Sequence, residues 1–217
     1  MLSLSPPNYL YAITDCHHFS GDALAEKTLQ ILKGGCRLVQ YRDKSTNTQK
    51  RLAEATQLKE LCRDFKAKLV INDDIDLASQ IGADGVHLGQ SDGDIKYARQ
   101  RLGPNAIIGV TCHSSLTLAA NALDDSANYI AFGRFFASTT KPNATAAPME
   151  LLTQARNRWP NVVIVAIGGI NQNNATQVIS HGASYTAVCE GIYHAASTVK
   201  YSQSFSLNLN QNAGSVL

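Results

Sequence analysis

The sequence predicts an α/β protein, a closed (β/α)8 TIM barrel in a single domain. Three observations predict it. Eight short apolar runs alternate with eight helical patterns and no linker interrupts them, an order that calls for a parallel sheet covered by helices. The 217 residues suffice for such a barrel near the lower end of its size range, and eight units in this length favour closure over an open doubly wound sheet. The polar residues with chemical potential follow the apolar runs, at the strand ends where barrels of this kind carry their sites.

The elements follow in order. Residues 9–14 form the first strand, stopped at Asp15, and 21–33 a helix with Leu24, Thr28, Ile31 and Leu32 on one face, ended by Gly34 and Gly35. Residues 37–42 are the second strand and 48–65 its helix; 68–71 the third, closed by Asn72 and Asp73, with a short helix over 75–81. The fourth strand is 85–88, leading through Gly89, Gln90 and Ser91 to Asp92 and a helix over 94–102. Strand 106–110 with helix 115–123, strand 128–132 with helix 149–158, and strand 162–166 with helix 173–180 make the next three units. Residues 184–188 are the eighth strand and 191–196 a short last helix. The barrel is expected over 1–198; residues 199–217, rich in Ser, Asn and Gln, read as a frayed or disordered polar tail.

Composition narrows the class of protein. A hydrophobic fraction of 44% with 17% charged residues describes a soluble globular chain. A net charge of +2 gives no reason to expect nucleic acid or a membrane surface as partner. No apolar run approaches spanning length, and the first residues lack a basic leader region. Five scattered cysteines without a C-x-x-C suit free thiols in a reducing compartment, so a cytoplasmic location is expected.

The strand ends, taken as one surface, spell out a binding chemistry. Gln40 and Arg42 share a face by alternation, with Lys44 just beyond in the loop; two cations and an amide suit a diphosphate and a hydrogen-bonding heterocycle, or else a surface ion pair with Asp43. Asp73 and Asp92 come from neighbouring strand ends and offer the carboxylate pair that Mg2+ takes together with substrate phosphate. Asp74 and Asp76 stand at a helix start and read as helix N-terminal residues. Thr111 offers a hydroxyl at the fifth strand end, whereas adjacent Cys112 and His113 point to opposite faces and no further His/Cys cluster supports a zinc site. His87 reads as a hydrogen-bonded core or mouth histidine. Between 126 and 149 there is no Asp or Glu, so Ser138, Thr139, Thr140 and Lys141 form an acid-free hydroxyl and lysine loop suited to phosphate, or a solvated turn. Gly168 and Gly169, with Cys189 and Glu190 after the last strand, occupy the place where such barrels build a phosphate site; the Glu190 carboxylate sits awkwardly there.

These residues resemble thiamine-phosphate synthase. The matching pieces are 11–15, 40–44, Asn72 and Asp73 with 76–78, 82–92, 109–111, 138–142 and 166–170, in order from about 9 to 192. The resemblance implies an enzyme joining hydroxymethylpyrimidine diphosphate to a thiazole phosphate, with or without a carboxylate, releasing diphosphate and forming thiamine phosphate. It implies Gln40 on the pyrimidine, and a pyrimidine-diphosphate set of Gln40, Tyr41, Arg42, Asp43, Lys44, Asn72, Thr111 and Lys141. Arg42, Lys44, Lys141 and Thr111 would be the catalytic members. Asp73 and Asp92 would hold Mg2+. Ser138, Thr139, Thr140, Gly169, Cys189 and Glu190 would hold the thiazole phosphate. Thr111 stands where the family often has serine. Arg134 and Ala137 replace prolines and Ser138 a threonine, and Cys189, Glu190 and Gly191 replace a Val/Ile-Ser-Ala run.

No activated nucleophile is visible and the implied reaction needs none. Arg42, Lys44, Asp73, Asp92 and Lys141 together argue against a thiazole tautomerase of the same fold, which need not handle a diphosphate. A sugar-phosphate isomerase or epimerase would want a positioned base at the mouth, and none is found. A non-catalytic sensor of phosphorylated ligands is the remaining alternative, kept open by Glu190. Phosphorylated small molecules are the expected partners, with a homo-oligomer left open.

Overall fold

The computed structural model describes residues 1–137 and 146–206. Eight strands close on themselves in sequence order: β1 (Leu10–Ile13), β2 (Leu38–Tyr41), β3 (Lys68–Asn72), β4 (Gly85–Leu88), β5 (Ile107–Thr111), β6 (Tyr129–Gly133), β7 (Val163–Ile167) and β8 (Tyr185–Val188). Every neighbouring pair is parallel, and β1 pairs with β8 to complete the barrel. The helices are α1 (Gly21–Lys33), α2 (Thr48–Asp64), α3 (Ile75–Gln80), α4 (Ile95–Leu102), α5 (Leu116–Asp124), α6 (Glu150–Arg158), α7 (Ala175–Ser180), α8 (Glu190–Tyr193) and α9 (Thr198–Gln203). The expected (β/α)8 barrel is the fold observed.

The period of two along each strand sorts side chains into two layers. Tyr11, Ile13, Leu38, Val70, Ile107, Tyr129, Val165 and Ala187 fill the interior. Leu10, Ala12, Val39, Tyr41, Leu69 and Ile71, from the alternate positions, pack outward under the helices. Interior space is tight enough to dictate Gly109, since a Cβ there would lie 1.8 Å from the Tyr129 ring. Helix starts are fixed by side chains that accept backbone N–H bonds: Asn47 from Lys50, Asp74 from Leu77 and Asp94 from Tyr97. Asp74 is therefore the helix cap expected of it, and because Asp94 caps α4, Asp92 is left out of that duty.

One expectation is corrected. The tail does not fray from residue 199. It forms α9, and the Ser202 hydroxyl donates to the Ile31 carbonyl at 2.8 Å. Asn8 donates to the Ser202 carbonyl at 2.8 Å, Tyr9 N–H donates to the Phe205 carbonyl at 2.8 Å, and Phe205 is fully buried. Polar composition concealed this, because the segment needs only Phe205 and a few backbone partners to seal its place against α1 and the start of β1. Strands β5, β6 and β7 each extend one residue beyond expectation, which brings Thr111 into β5.

Candidate active site

The ends of β2, β3 and β4 open on a cleft of about 550 Å³ lined by Asp43, Lys44, Asn72, Asp73 and Asp92, with Arg51 and Asp74 beside them. Five of the residues expected at the site thus share one cavity. Asp73 adopts φ 63, a left-handed conformation costly for a residue with a Cβ. Its backbone N–H donates to the His87 carbonyl at 2.8 Å, which ties the ends of β3 and β4 together. Its carboxylate accepts from the Asn72 amide at 2.6 Å and from the Lys44 ammonium. Asp92 faces the same cleft from the turn after β4.

Below the cleft, a file of hydrogen bonds crosses the barrel interior. Gln40 Nε2 donates to the Tyr11 hydroxyl at 2.8 Å, and the Tyr11 and Tyr129 hydroxyls are 2.8 Å apart. The Tyr129 hydroxyl lies 2.8 Å from His87 Nδ1, and His87 Nε2 lies 2.8 Å from Thr111 Oγ1. Gln40, Tyr11, Tyr129 and His87 are buried, so desolvation lowers the His87 pKa to about 4 and raises that of the Tyr129 phenol. All members are neutral at pH 7. Gln90 adds a 2.5 Å bond to the Thr111 carbonyl, holding the end of β5 from the β4 side.

Arg42 is set by its backbone: its N–H donates to the Thr14 hydroxyl at 2.8 Å. Its charge acts on the Cys189 thiol, which puts it within electrostatic reach of the end of β8. Cys189 itself packs against the interior cluster, and burial pushes its thiol up to about 11. On β7's side, Gly169 takes φ 65, and a Cβ there would fall 2.2 Å from the Ala137 carbonyl oxygen. Asn174 donates to the Gly169 carbonyl at 3.0 Å and holds this turn. Glu190 is exposed in the first turn of α8. Ser138, Thr139, Thr140 and Lys141 lie outside the described residues.

One expected ligand contact is corrected by where the side chain goes. Tyr41 points outward from β2, and its buried hydroxyl donates to Glu54 Oε2 at 2.8 Å, so it faces the helical layer and not the mouth. Asp43 lines the cleft but is engaged as a brace, accepting from Lys50 Nζ at 2.8 Å and from the backbone and hydroxyl of Ser45. Burial works against its ionisation, yet the Lys50 ammonium and the Ser45 donors outweigh it and hold the carboxyl below its ordinary range.

The sequence reading missed Arg51. It reaches the cleft from α2, pairs with Asp74 at 2.7 Å, and keeps a buried Nε that lacks a hydrogen-bond partner among the described residues. A lone arginine in a polar helix carries no signal of that placement. The buried Tyr11–Tyr129 link was equally hidden, because 118 residues separate its members.

Comparison with known proteins decides the family. Residues 10–192 match the profile of the family described as thiamine monophosphate synthase. The chain belongs to that family. Thiamine-phosphate synthase of Saccharophagus degradans is 50% identical over 209 residues, covering 96% of this chain and 95% of that protein. The thiamine-phosphate synthase of Alcanivorax borkumensis is 49% identical over 184 residues, covering 85% and 84%. Among solved structures, thiamine phosphate pyrophosphorylase from Pyrococcus furiosus superposes with a TM-score of 0.82 at 30% identity, over 94% of this chain and 96% of that one. A 3-hexulose-6-phosphate synthase, at 18% identity and a TM-score of 0.66, shares the fold alone. Membership in the thiamine monophosphate synthase family agrees with the motifs at the strand ends. Among the described residues, no helix is long and apolar enough to cross a membrane.

Proposed function

We propose that this chain condenses hydroxymethylpyrimidine diphosphate with a thiazole phosphate, forming thiamine phosphate and releasing diphosphate. The observation that carries the reading is the cleft joining Lys44, Asn72, Asp73 and Asp92 at the mouth of a barrel of this family. Arg42, Lys44 and Asn72 bind the pyrimidine diphosphate, with Lys141 from the acid-free loop. Gln40 and Thr111 orient the heterocycle, and Arg51 adds a further donor on the α2 side.

The donor set fits Mg2+. Two carboxylates from adjacent strand ends provide hard oxygen ligands, and the Lys44 ammonium on Asp73 marks the spot as one where a cation is stable. Asp73 and Asp92 would hold the ion, and when bound it supplies charge neutralisation for the departing diphosphate. The chain's own residues do the rest. Arg42, Lys44 and Lys141 stabilise negative charge as the bond from the pyrimidine methylene to diphosphate oxygen breaks. Gln40 and Thr111 hold the electron-rich ring facing the thiazole nitrogen, which forms the new bond with its lone pair. The thiazole phosphate is anchored by the backbone at Gly169, Cys189 and Glu190 and by Ser138, Thr139 and Thr140. Positioning and leaving-group electrostatics can each contribute several kcal/mol. The five free cysteines support a reducing, cytoplasmic setting.

Incubation with both substrates and Mg2+ tests the proposal. Thiamine phosphate and diphosphate should appear in equal amounts and only when all three are present. Absence of product with correctly folded protein would overturn it.

A further inference from the structure

A second cluster lies on the β8–β1 side of the barrel, away from the cleft at β2–β4. Asp15, just past β1, has a side chain only 7% exposed. Its Oδ2 meets two imidazoles at once: His18 Nδ1 at 2.8 Å and His194 Nε2 at 2.9 Å. The three ligand atoms all lie within 4.8 Å of one another. His18 sits in the turn before α1 and His194 follows the last turn of α8, so the cluster joins points 179 residues apart. His17 packs edge-on to His18, and Phe19 lies 5.4 Å from the His194 ring, so both imidazoles are walled in on one side.

We propose that Asp15, His18 and His194 form a binding site for a divalent cation of the zinc class. The donor set of two imidazoles and one carboxylate is the kind that Zn2+ takes, with bonds of about 2.0–2.1 Å and a remaining position for water. An ion in tetrahedral coordination needs ligand atoms about 3.3 Å apart, so His18 and His194 must each draw back from Asp15 by about half an ångström, and their two ring nitrogens, within 4.8 Å of each other, must settle at the same spacing. For the ion to bind, each neutral imidazole shifts its proton from the nitrogen now facing the carboxylate to its other ring nitrogen and offers the freed lone pair to the metal. Because His18 and His194 side chains are 44% and 43% exposed, the fourth position opens to solvent. Sequence spacing hid the site, since His18 and His194 share no local motif. Bound metal staples the turn before α1 to the end of α8, next to Cys189 and Glu190. The proposal is independent of the condensation reaction and of Mg2+ at Asp73 and Asp92.

The test is titration of the metal-stripped chain with Zn2+ by calorimetry, with Co2+ absorption to report coordination geometry. One equivalent should bind, with a visible Co2+ band of tetrahedral intensity and a thermal midpoint raised by about 5 °C or more at saturation. His18→Ala and His194→Ala should each weaken Zn2+ by more than about 100-fold, beyond the loss typical of outer-shell changes. His17→Ala and Asp73→Asn should leave the Zn2+ affinity unchanged. Both ligand histidines are exposed, so their alanine variants should keep the wild-type circular dichroism. Absence of Zn2+ binding, or equal binding by a His18→Ala/His194→Ala double variant, overturns the site and leaves a hydrogen-bonded triad.

Discussion

His87 presents its Nε2 to the Thr111 hydroxyl at 2.8 Å, and what lies behind it fixes which partner donates. With Gln40 donating to Tyr11, every buried hydroxyl proton in the file finds an acceptor when Tyr11 donates to Tyr129 and Tyr129 to His87 Nδ1. The imidazole then carries its proton on Nε2 and donates it to the Thr111 hydroxyl. A buried file that begins at the Gln40 amide thus reaches the Thr111 hydroxyl from the other side of the barrel. Nitrogen-15 spectra of the histidine-labelled chain at pH 7 should show His87 as the neutral Nε2–H tautomer. Tyr129→Phe removes the donor to Nδ1 and should mix the tautomers, costing about 1–3 kcal/mol of stability from the groups left unpaired.

The same residue sets a pH dependence of stability. Burial holds the folded pKa of His87 at about 4, below the value near 6.5 of an exposed imidazole. Between these values the unfolded chain binds the proton and the folded chain does not, so acid favours unfolding there. Stability is unaffected by this group above about pH 6.5, falls as pH drops toward 4, and loses roughly 3 kcal/mol in all. Urea unfolding at pH 7.5 and 4.5 should show a larger loss in the wild type than in His87→Gln. Equal losses in the two would remove His87 from the account.

Asp73 combines a left-handed backbone with the carboxylate proposed above to hold Mg2+. Asp73→Asn keeps the first, because asparagine tolerates this conformation, and removes the second. The variant should fold with near wild-type stability while kcat falls at least about 100-fold and the response to added Mg2+ flattens. Retention of wild-type Mg2+ dependence would move the metal elsewhere.

Most of this architecture is written locally and so was legible. Alternating strands and the Asp94 cap are set by residues within a few positions of one another, and Asp73 and Asp92 each follow closely on a strand of their own. Side-chain direction at β2 was also readable in principle, since Gln40 facing inward sends Tyr41 outward to Glu54. Carrying the whole run 40–44 over as ligands overrode that alternation. What escaped depended on closure of the barrel: Tyr11 against Tyr129, Asp15 against His194, and Asn8 against Ser202 become neighbours only when β1 meets β8 or the interior fills.

Phe205 tests the corrected C-terminal boundary. It is fully buried in a segment whose composition is otherwise polar, and it anchors the hydrogen bond from Tyr9. Phe205→Ala should cost about 3–5 kcal/mol, as other core aromatic truncations do, and should leave the Michaelis constants unchanged because the residue lies at the opposite end of the barrel from the cleft. Denaturant midpoints together with steady-state kinetics separate the two effects. A loss below about 1 kcal/mol would restore the frayed tail.

Glu190 is the residue that the phosphate reading does not call for. It opens α8, where its carboxylate is favoured by the helix N-terminus but would oppose the thiazole phosphate proposed to sit at the backbone of Cys189 and Glu190. At an effective dielectric near 20, a like charge roughly 8 Å away costs about 2 kcal/mol before salt screening. Glu190→Ser removes that charge and supplies the hydroxyl of the family's Val/Ile-Ser-Ala run. The Michaelis constant for thiazole phosphate should then fall by up to about tenfold, with that for the pyrimidine diphosphate nearly constant. Because the effect is electrostatic, the gain should shrink as salt rises from low to moderate concentration. Weaker thiazole-phosphate binding in the serine variant would assign Glu190 a positive role in holding that substrate.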